Sequence, residues 1–128
     1  MKLVFESTES FEKEISFFDD NQRLLIISEI NNHFNLLLSN PVKFYQQIEQ
    51  PLQFKLANDY DSSLYILGVS NNFKLIFTLD EDPIFEQVII TLFRLVKDNE
   101  AIKVYQETGD LLYRYFLLEE NKKVAILV

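Results

Sequence analysis

The spacing of apolar residues changes once along this chain, close to Pro51, and this change limits what the chain can fold into. Before Pro51, apolar side chains recur every three or four residues, which is the period of an amphipathic helix. After it, they alternate or run together, as they do in strands. Helices followed by consecutive strands predict an α+β fold, in which the helices pack on a mainly antiparallel sheet.

The first 41 residues predict a strand and two helices joined as a helical hairpin. A short strand covers Lys2 to Glu6. The apolar residues of the first helix are Phe11, Ile15 and Phe18. A second helix begins after Asp19-Asp20, whose charge suits a helix N-terminus, and ends at Asn40-Pro41, because proline cannot continue the helical hydrogen bonds. Its predicted apolar stripe consists of Leu24, Ile27, Ile30, Phe34 and Leu38.

The second half predicts a β-hairpin. The runs Leu64 to Ser70 and Phe73 to Leu79 flank Asn71-Asn72, and asparagine tolerates the positive φ angles of a tight hairpin turn. A two-residue loop places Val69 opposite Lys74. We then expect one apolar face to pack on the helices: Leu64, Ile66, Phe73, Leu75, Phe77 and Leu79. The opposite face is called the mixed face, because it carries Lys74 among both polar and apolar residues. We expect it to face solvent or to line a shallow cleft.

The remaining segments predict one more strand and one more helix. A strand over Glu86 to Leu95 follows an acidic turn, and a helix over Glu100 to Thr108 ends at Gly109. Residues 111–119 fit both the helical and the strand period, while the final VAILV resembles a strand that pairs with another element. No linker, repeat or low-complexity run interrupts the chain, so residues 1–128 are expected to form a single domain.

The composition excludes several kinds of functional site. The chain has no cysteine, and its single histidine, His33, argues against a histidine-rich metal site and a Ser-His-Asp hydrolase. With only 2 glycines it cannot build a glycine-rich phosphate loop. We therefore expect neither a metal nor another cofactor. No stretch of about 18 apolar residues is present, which favours a cytoplasmic protein that does not enter membranes.

Three segments of the second half carry a distinctive pattern. They are FKLIF at 73–77, QVIITL at 87–92, and KDNE at 97–100 followed by Val104-Tyr105. They resemble, in this order, the aromatic–Arg–apolar–apolar–aromatic strand, the next strand and the closing basic segment of the RelE/ParE toxin superfamily of bacterial type II toxin–antitoxin systems. The resemblance covers a core of about residues 3–106 and leaves 107–128 as a C-terminal extension.

The resemblance implies an endoribonuclease and a set of partners. RelE-type toxins cleave messenger RNA on the ribosome without a metal, by attack of the ribose 2′-hydroxyl on the neighbouring phosphate. Lys74 falls at the position of a phosphate-stabilising arginine, and Tyr105 at that of a tyrosine which stacks on a base or assists proton transfer. Arg94 and Lys97 are the candidate RNA-binding residues beside them. The implied partners are a cognate antitoxin and the ribosome with its messenger RNA.

Two departures from the family pattern keep a second hypothesis open. Asn99 stands where the pattern has a catalytic arginine, and 20 acidic against 12 basic residues give a net charge of -8, which opposes RNA binding. The alternative is a catalytically inactive protein-binding module of this fold, or a ParE-type toxin that inhibits DNA gyrase. Convergence of Lys74, Arg94, Lys97 and Lys103 into a positive cleft would favour the ribonuclease, and their dispersal would favour binding.

Overall fold

The computed structural model describes residues 1–52 and 63–113, which form an α+β fold as predicted. Its elements are, in order, β1 (Lys2–Ser7), α1 (Glu9–Ser16), α2 (Asp20–Ser39), α3 (Pro41–Gln47), β2 (Ile48–Glu49), β3 (Leu64–Val69), β4 (Phe73–Asp82) and β5 (Gln87–Lys97). A 3₁₀ turn, Asp98–Glu100, leads into residues 101–113, which are helical and are called α4. Residues 114–119 and the predicted VAILV strand lie outside the described residues.

Local side-chain caps explain where the first three helices begin. The Thr8 hydroxyl accepts a hydrogen bond from the N–H of Phe11, and the Asp19 carboxylate accepts one from Gln22 at 2.8 Å. Asn40 and Pro41 end α2 as predicted, but the same pair begins α3, which the sequence analysis missed. Proline is well suited to the first turn of a helix, where its missing N–H has no partner to lose.

The five strands form one sheet in the order β1-β5-β4-β3-β2. Only the β1–β5 pair is parallel, from Lys2 opposite Gln87 to Ser7 opposite Leu92, and the other three pairs are antiparallel. The prediction of a mainly antiparallel sheet is confirmed.

The predicted hairpin register is wrong by one residue. Val69 lies opposite Phe73 rather than Lys74, so the loop has three residues, and its first, Ser70, has a φ of 57°. The Ser70 N–H donates a 2.5 Å hydrogen bond to the Glu29 carboxylate on α2. The local sequence does not predict this contact, because the two residues are 41 positions apart. Because side chains alternate along a strand, this slip moves every β3 side chain to the opposite face.

The two faces of the sheet bury different apolar clusters. The first cluster lies under α1, α2 and α3 and includes Leu75 and Phe77 of β4, as predicted for that strand. The second cluster lies under α4 and includes Leu64 and Ile66, which were expected on the first face. The mixed face is therefore covered, and the prediction that it looks outward or lines a cleft is wrong. The helix α4 continues through Gly109, which was expected to end it.

The buried face of α2 also differs from the predicted stripe. Ile30 and Phe34 are buried as expected, and Ile26 joins them. Leu24, Ile27 and Leu38 remain 67%, 40% and 49% exposed, respectively. These three residues leave apolar side chains on the outer surface of the helix, where nothing in the described part of the chain covers them.

Candidate functional site

The side chain of Lys74 lies on the α4 face of the sheet, opposite a glycine. Its Nζ is 3.6 Å from Asp98 Oδ1, and the lysine side chain is 25% exposed. Gly68 is its partner across the β3–β4 ladder, and a Cβ built at Gly68 would lie 3.5 Å from Nζ. The Lys74 side chain therefore extends across Gly68 toward Asp98, and its amino group retains some access to solvent.

Tyr105 is fully buried in α4, and its hydroxyl is occupied by the backbone. The hydroxyl oxygen lies 2.7 Å from the Leu52 carbonyl and 2.8 Å from the Leu64 carbonyl, and the side chain is 0% exposed. Burial raises the pKa of the phenol from 10.0 to about 12. The ring cannot stack on a base from this position, and the hydroxyl ties α4 to β3 and to the segment after β2.

Arg94 belongs to an ion pair with Glu14 at the edge of β5. Its Nε lies 3.1 Å from both Glu14 carboxylate oxygens, and its second terminal nitrogen lies 2.9 Å from Oε2. This hydrogen-bonded carboxylate raises the pKa of the Arg94 guanidinium above its ordinary value. Glu14 Oε1 also accepts the Leu95 N–H at 2.9 Å, so one carboxylate serves both the guanidinium and the strand backbone.

The contact between Glu14 and β5 completes a strand edge. β1 pairs with β5 only as far as Leu92, and beyond this point α1 runs beside the strand. The Thr8 hydroxyl donates to the Phe93 carbonyl at 2.7 Å, and the Glu14 carboxylate accepts a hydrogen bond from the next N–H on that edge, that of Leu95. The sequence interpretation placed Glu14 on the outer face of the first helix, and the contact with β5 shows that this was wrong. Glu14 lies three residues after Phe11 and four before Phe18. This spacing placed a carboxylate on the apolar face of α1, which was the available signal.

The four cations whose convergence would favour the ribonuclease do not form a common positive cleft. Lys74 and Arg94 are each paired with an acidic side chain. Lys97 is exposed and lies opposite Phe73, next to the Lys74–Val96 pair, so Lys74 and Lys97 project from opposite faces of the sheet. Lys103 is exposed on α4.

One concave surface of the described residues, on the α4 side of α1, is mainly apolar. A pocket of ≈ 350 Å³ between α1, β5 and α4 is lined by Thr8, Ser10, Phe93, Arg94, Thr108, Leu111 and Leu112. Among the described residues that line it, only Arg94 is charged, and Glu14 already engages it. Within residues 1–52 and 63–113, no group of three His, Asp or Glu side chains is arranged to hold a metal ion.

Two further findings bear on the class of protein. No helix among the described residues is long and apolar enough to cross a membrane. Comparison with protein-family models, curated proteins and solved structures found no match for this chain. Its function must therefore be argued from the geometry of its own residues.

Proposed function

We propose that this chain is a cytoplasmic, RelE/ParE-like toxin-type component of a toxin–antitoxin pair that acts by binding a protein rather than by cleaving RNA. The observation that carries this proposal is the position of Tyr105. A fully buried hydroxyl engaged with two carbonyls has no access to a phosphate or a ribose. The residue that the resemblance assigns to stacking and proton transfer therefore stabilises the fold.

The order of elements supports the family part of this proposal. A strand, two main helices, an antiparallel meander and a tyrosine-bearing final segment follow one another in the order that the resemblance implies. Asn99, at the position of the family's catalytic arginine, lies in the exposed 3₁₀ turn after β5. The chain thus combines the expected arrangement of elements with an incomplete catalytic set.

The distribution of charge supports binding over cleavage. Cleavage at phosphate requires cations that are free to stabilise the developing negative charge. Arg94 forms a bidentate ion pair with Glu14, and the chain as a whole carries a charge of -8. A cognate antitoxin or DNA gyrase is a protein target that does not require such cations.

Lys74 favours the endoribonuclease as a second candidate. Its ion pair with Asp98 is long, at 3.6 Å, and Asp98 itself is 63% exposed, so the amino group can be released at little cost. In that case Lys74 would stabilise the phosphate without Lys97, which projects from the opposite face of the sheet. This candidate requires that Lys74 acts without Tyr105.

Induced expression in bacteria distinguishes the two candidates. We expect the wild type to arrest growth, and Lys74→Ala to arrest it equally, because a binding toxin does not need this amino group. The matched control is Lys103→Ala, which removes an exposed lysine from α4. Messenger RNA from the same cells should remain intact at ribosomes, and a gyrase supercoiling assay on purified protein then identifies or eliminates that target.

Two other results would change the conclusion. Growth arrest that Lys74→Ala relieves and Lys103→Ala does not, accompanied by cleaved messenger RNA, would establish the endoribonuclease. Absence of arrest in every variant, with folded protein present, would remove the toxin role in that host and leave a protein-binding module. Coexpression with the product of the adjacent gene tests for a cognate antitoxin in either case.

A further inference from the structure

β1 forms one end of the sheet, and its outer edge has no partner among residues 1–52 and 63–113. The N–H of Lys2 donates to the Glu86 carbonyl at 3.0 Å, and that of Thr8 donates to Leu92 at 3.1 Å. Alternate residues of a strand direct their backbone groups to opposite edges, so the even-numbered residues of β1 face β5. Leu3 and Phe5 therefore direct their N–H and carbonyl groups outward.

We propose that a second copy of this chain pairs with the outer edge of β1 in antiparallel orientation, which joins two sheets into one across a twofold axis. Natural edge strands are usually protected by a proline, a bulge or charged side chains such as lysine. The charged residues of β1, Lys2 and Glu6, have opposite signs, so they can pair with those of a second copy. β1 has no proline, and its register with β5 runs without a shift. Its sequence is also self-complementary in one register.

The geometry of the outward groups selects that register. Two outward-facing residues must oppose each other to exchange hydrogen bonds, and centring the axis on Val4 places Leu3 opposite Phe5 of the second copy. The same register places Lys2 opposite Glu6 of the second copy, twice by symmetry. A twofold centred on Leu3 would instead place Lys2 opposite Val4, and one centred on Phe5 would place Val4 opposite Glu6. Only the Val4-centred pairing matches opposite charges and apolar side chains.

The charged pairs fall at the closer of the two positions in the ladder. Lys2 and Glu6 would form non-hydrogen-bonded pairs, in which the Cα atoms of an antiparallel ladder approach to about 4.5 Å and side chains interact most strongly. Lys2 is exposed and Glu6 is exposed, so both are available to a second copy. The proposed pairing is therefore sensitive to charge, because reversal of either charge creates two repulsive contacts at once.

The apolar side of β1 also provides a surface for the second copy. Phe5 is 40% exposed although its ring packs edge-on against Phe34, with centroids 5.7 Å apart. Beside it runs a groove of ≈ 300 Å³, whose apolar lining includes Phe5, Phe11, Ile27, Ile30 and Leu92. Leu3 of the second copy, which lies opposite Phe5, would cover part of this groove. The exposed Ile27 of α2 borders the same surface.

A charge-swap series on the purified full-length chain tests this dimer. Sedimentation equilibrium from micromolar to millimolar concentration should show a monomer–dimer equilibrium for the wild type. Lys2→Glu should raise the dimer Kd at least about tenfold, because two attractive cross-strand pairs become repulsive. The double variant Lys2→Glu with Glu6→Lys should restore the Kd to within about threefold. Lys13→Glu, the same charge change on the exposed side of α1, should leave the Kd near the wild-type value.

Amide hydrogen exchange provides a second readout that does not depend on the variants. The N–H groups of Leu3 and Phe5 should exchange rapidly in dilute solution and slowly at high concentration, because only the second copy covers them. The N–H groups of Val4 and Glu6 should stay protected at every concentration by their bonds to β5.

Each contrary result overturns the dimer. A wild-type chain that remains monomeric throughout, with Leu3 and Phe5 protected at all concentrations, would assign the edge to another segment of the same chain. A dimer that is insensitive to Lys2→Glu, or one that the folded double variant does not restore, would place the interface elsewhere. The proposed binding function is unaffected by these results, because it is read from growth arrest and not from self-association.

Discussion

The two faces of the sheet are stabilised in different ways. Under α1, α2 and α3, the aromatic rings of Phe34 and Phe77 meet edge-on at a centroid distance of 4.9 Å, and Phe44 packs beside Phe34 at 5.4 Å. Under α4, the cluster is smaller, and its largest member is Tyr105, whose hydroxyl must find partners as well as space. The buried side chains of the first cluster are all apolar, whereas the second cluster also depends on the hydrogen bonds of a buried hydroxyl.

Both candidate catalytic residues lie on the α4 face. Lys74 and Tyr105 were candidates because the resemblance assigns them catalytic positions. Here Tyr105 hydrogen-bonds to the backbone, and Lys74 pairs with Asp98. A polar side chain on a covered face is explained by its hydrogen bonds first, and a functional role requires access as well.

The largest expected loss of stability is on the face under α1, α2 and α3. Phe34→Ala should lower the free energy of unfolding by about 3–5 kcal/mol, because it removes a side chain that is 0% exposed and contacts three other rings. Urea unfolding followed by circular dichroism measures the loss. Phe17→Ala is the matched control, since Phe17 is 84% exposed. A loss no greater than that of the control would show that this face is not the main source of stability.

The next effect is on the α4 face. Tyr105→Phe keeps the ring but leaves the carbonyls of Leu52 and Leu64 without the hydroxyl, so unfolding should become easier by about 1–3 kcal/mol. Burial holds the folded-state pKa of Tyr105 at about 12, above the value of 10.0 expected when the ring is exposed. The neutral phenol therefore contributes stability that is complete below pH 10 and declines as the pH rises toward 12.

Alkaline unfolding separates this hydroxyl from the other tyrosines. The wild type should lose more stability than Tyr105→Phe between pH 10 and 12, the interval between the two pKa values. Identical slopes for the two proteins would mean that the Tyr105 hydroxyl is not desolvated in the folded state. That result would also reopen a catalytic role for Tyr105.

The smallest effect is at the strand edge that both faces share. A double-mutant cycle of Glu14→Ala with Arg94→Met should give a coupling free energy of about 1 kcal/mol, because the pair is only partly buried, at 20% and 34% exposure. The exposed pair Arg23–Asp20 is the control and should couple by less than about 0.5 kcal/mol. Equal coupling in the two cycles would show that Glu14 stabilises β5 through the Leu95 N–H alone.

The candidate site was predicted less completely than the fold. Lys74 could be placed on a central strand from the FKLIF pattern, because an apolar run between turn residues identifies a strand. The burial of Tyr105 could not be inferred, since VY in an amphipathic helix is compatible with either a covered or an open face. The contact of Glu14 with β5 could not be inferred, because its partners there are 80 and 81 residues away in sequence.

The sequence by itself determined the types of element and most of their order. Apolar period and capping residues act over a few positions, so α1, α2, β3, β4 and β5 could be predicted from their own residues. Only the tertiary structure decided the β3 register, in which Ser70 contacts Glu29, and which side of the sheet α4 covers. These features depend on contacts between segments more than 40 residues apart, such as Tyr105 and Leu64 at a separation of 41, and such contacts leave no periodic trace in the sequence.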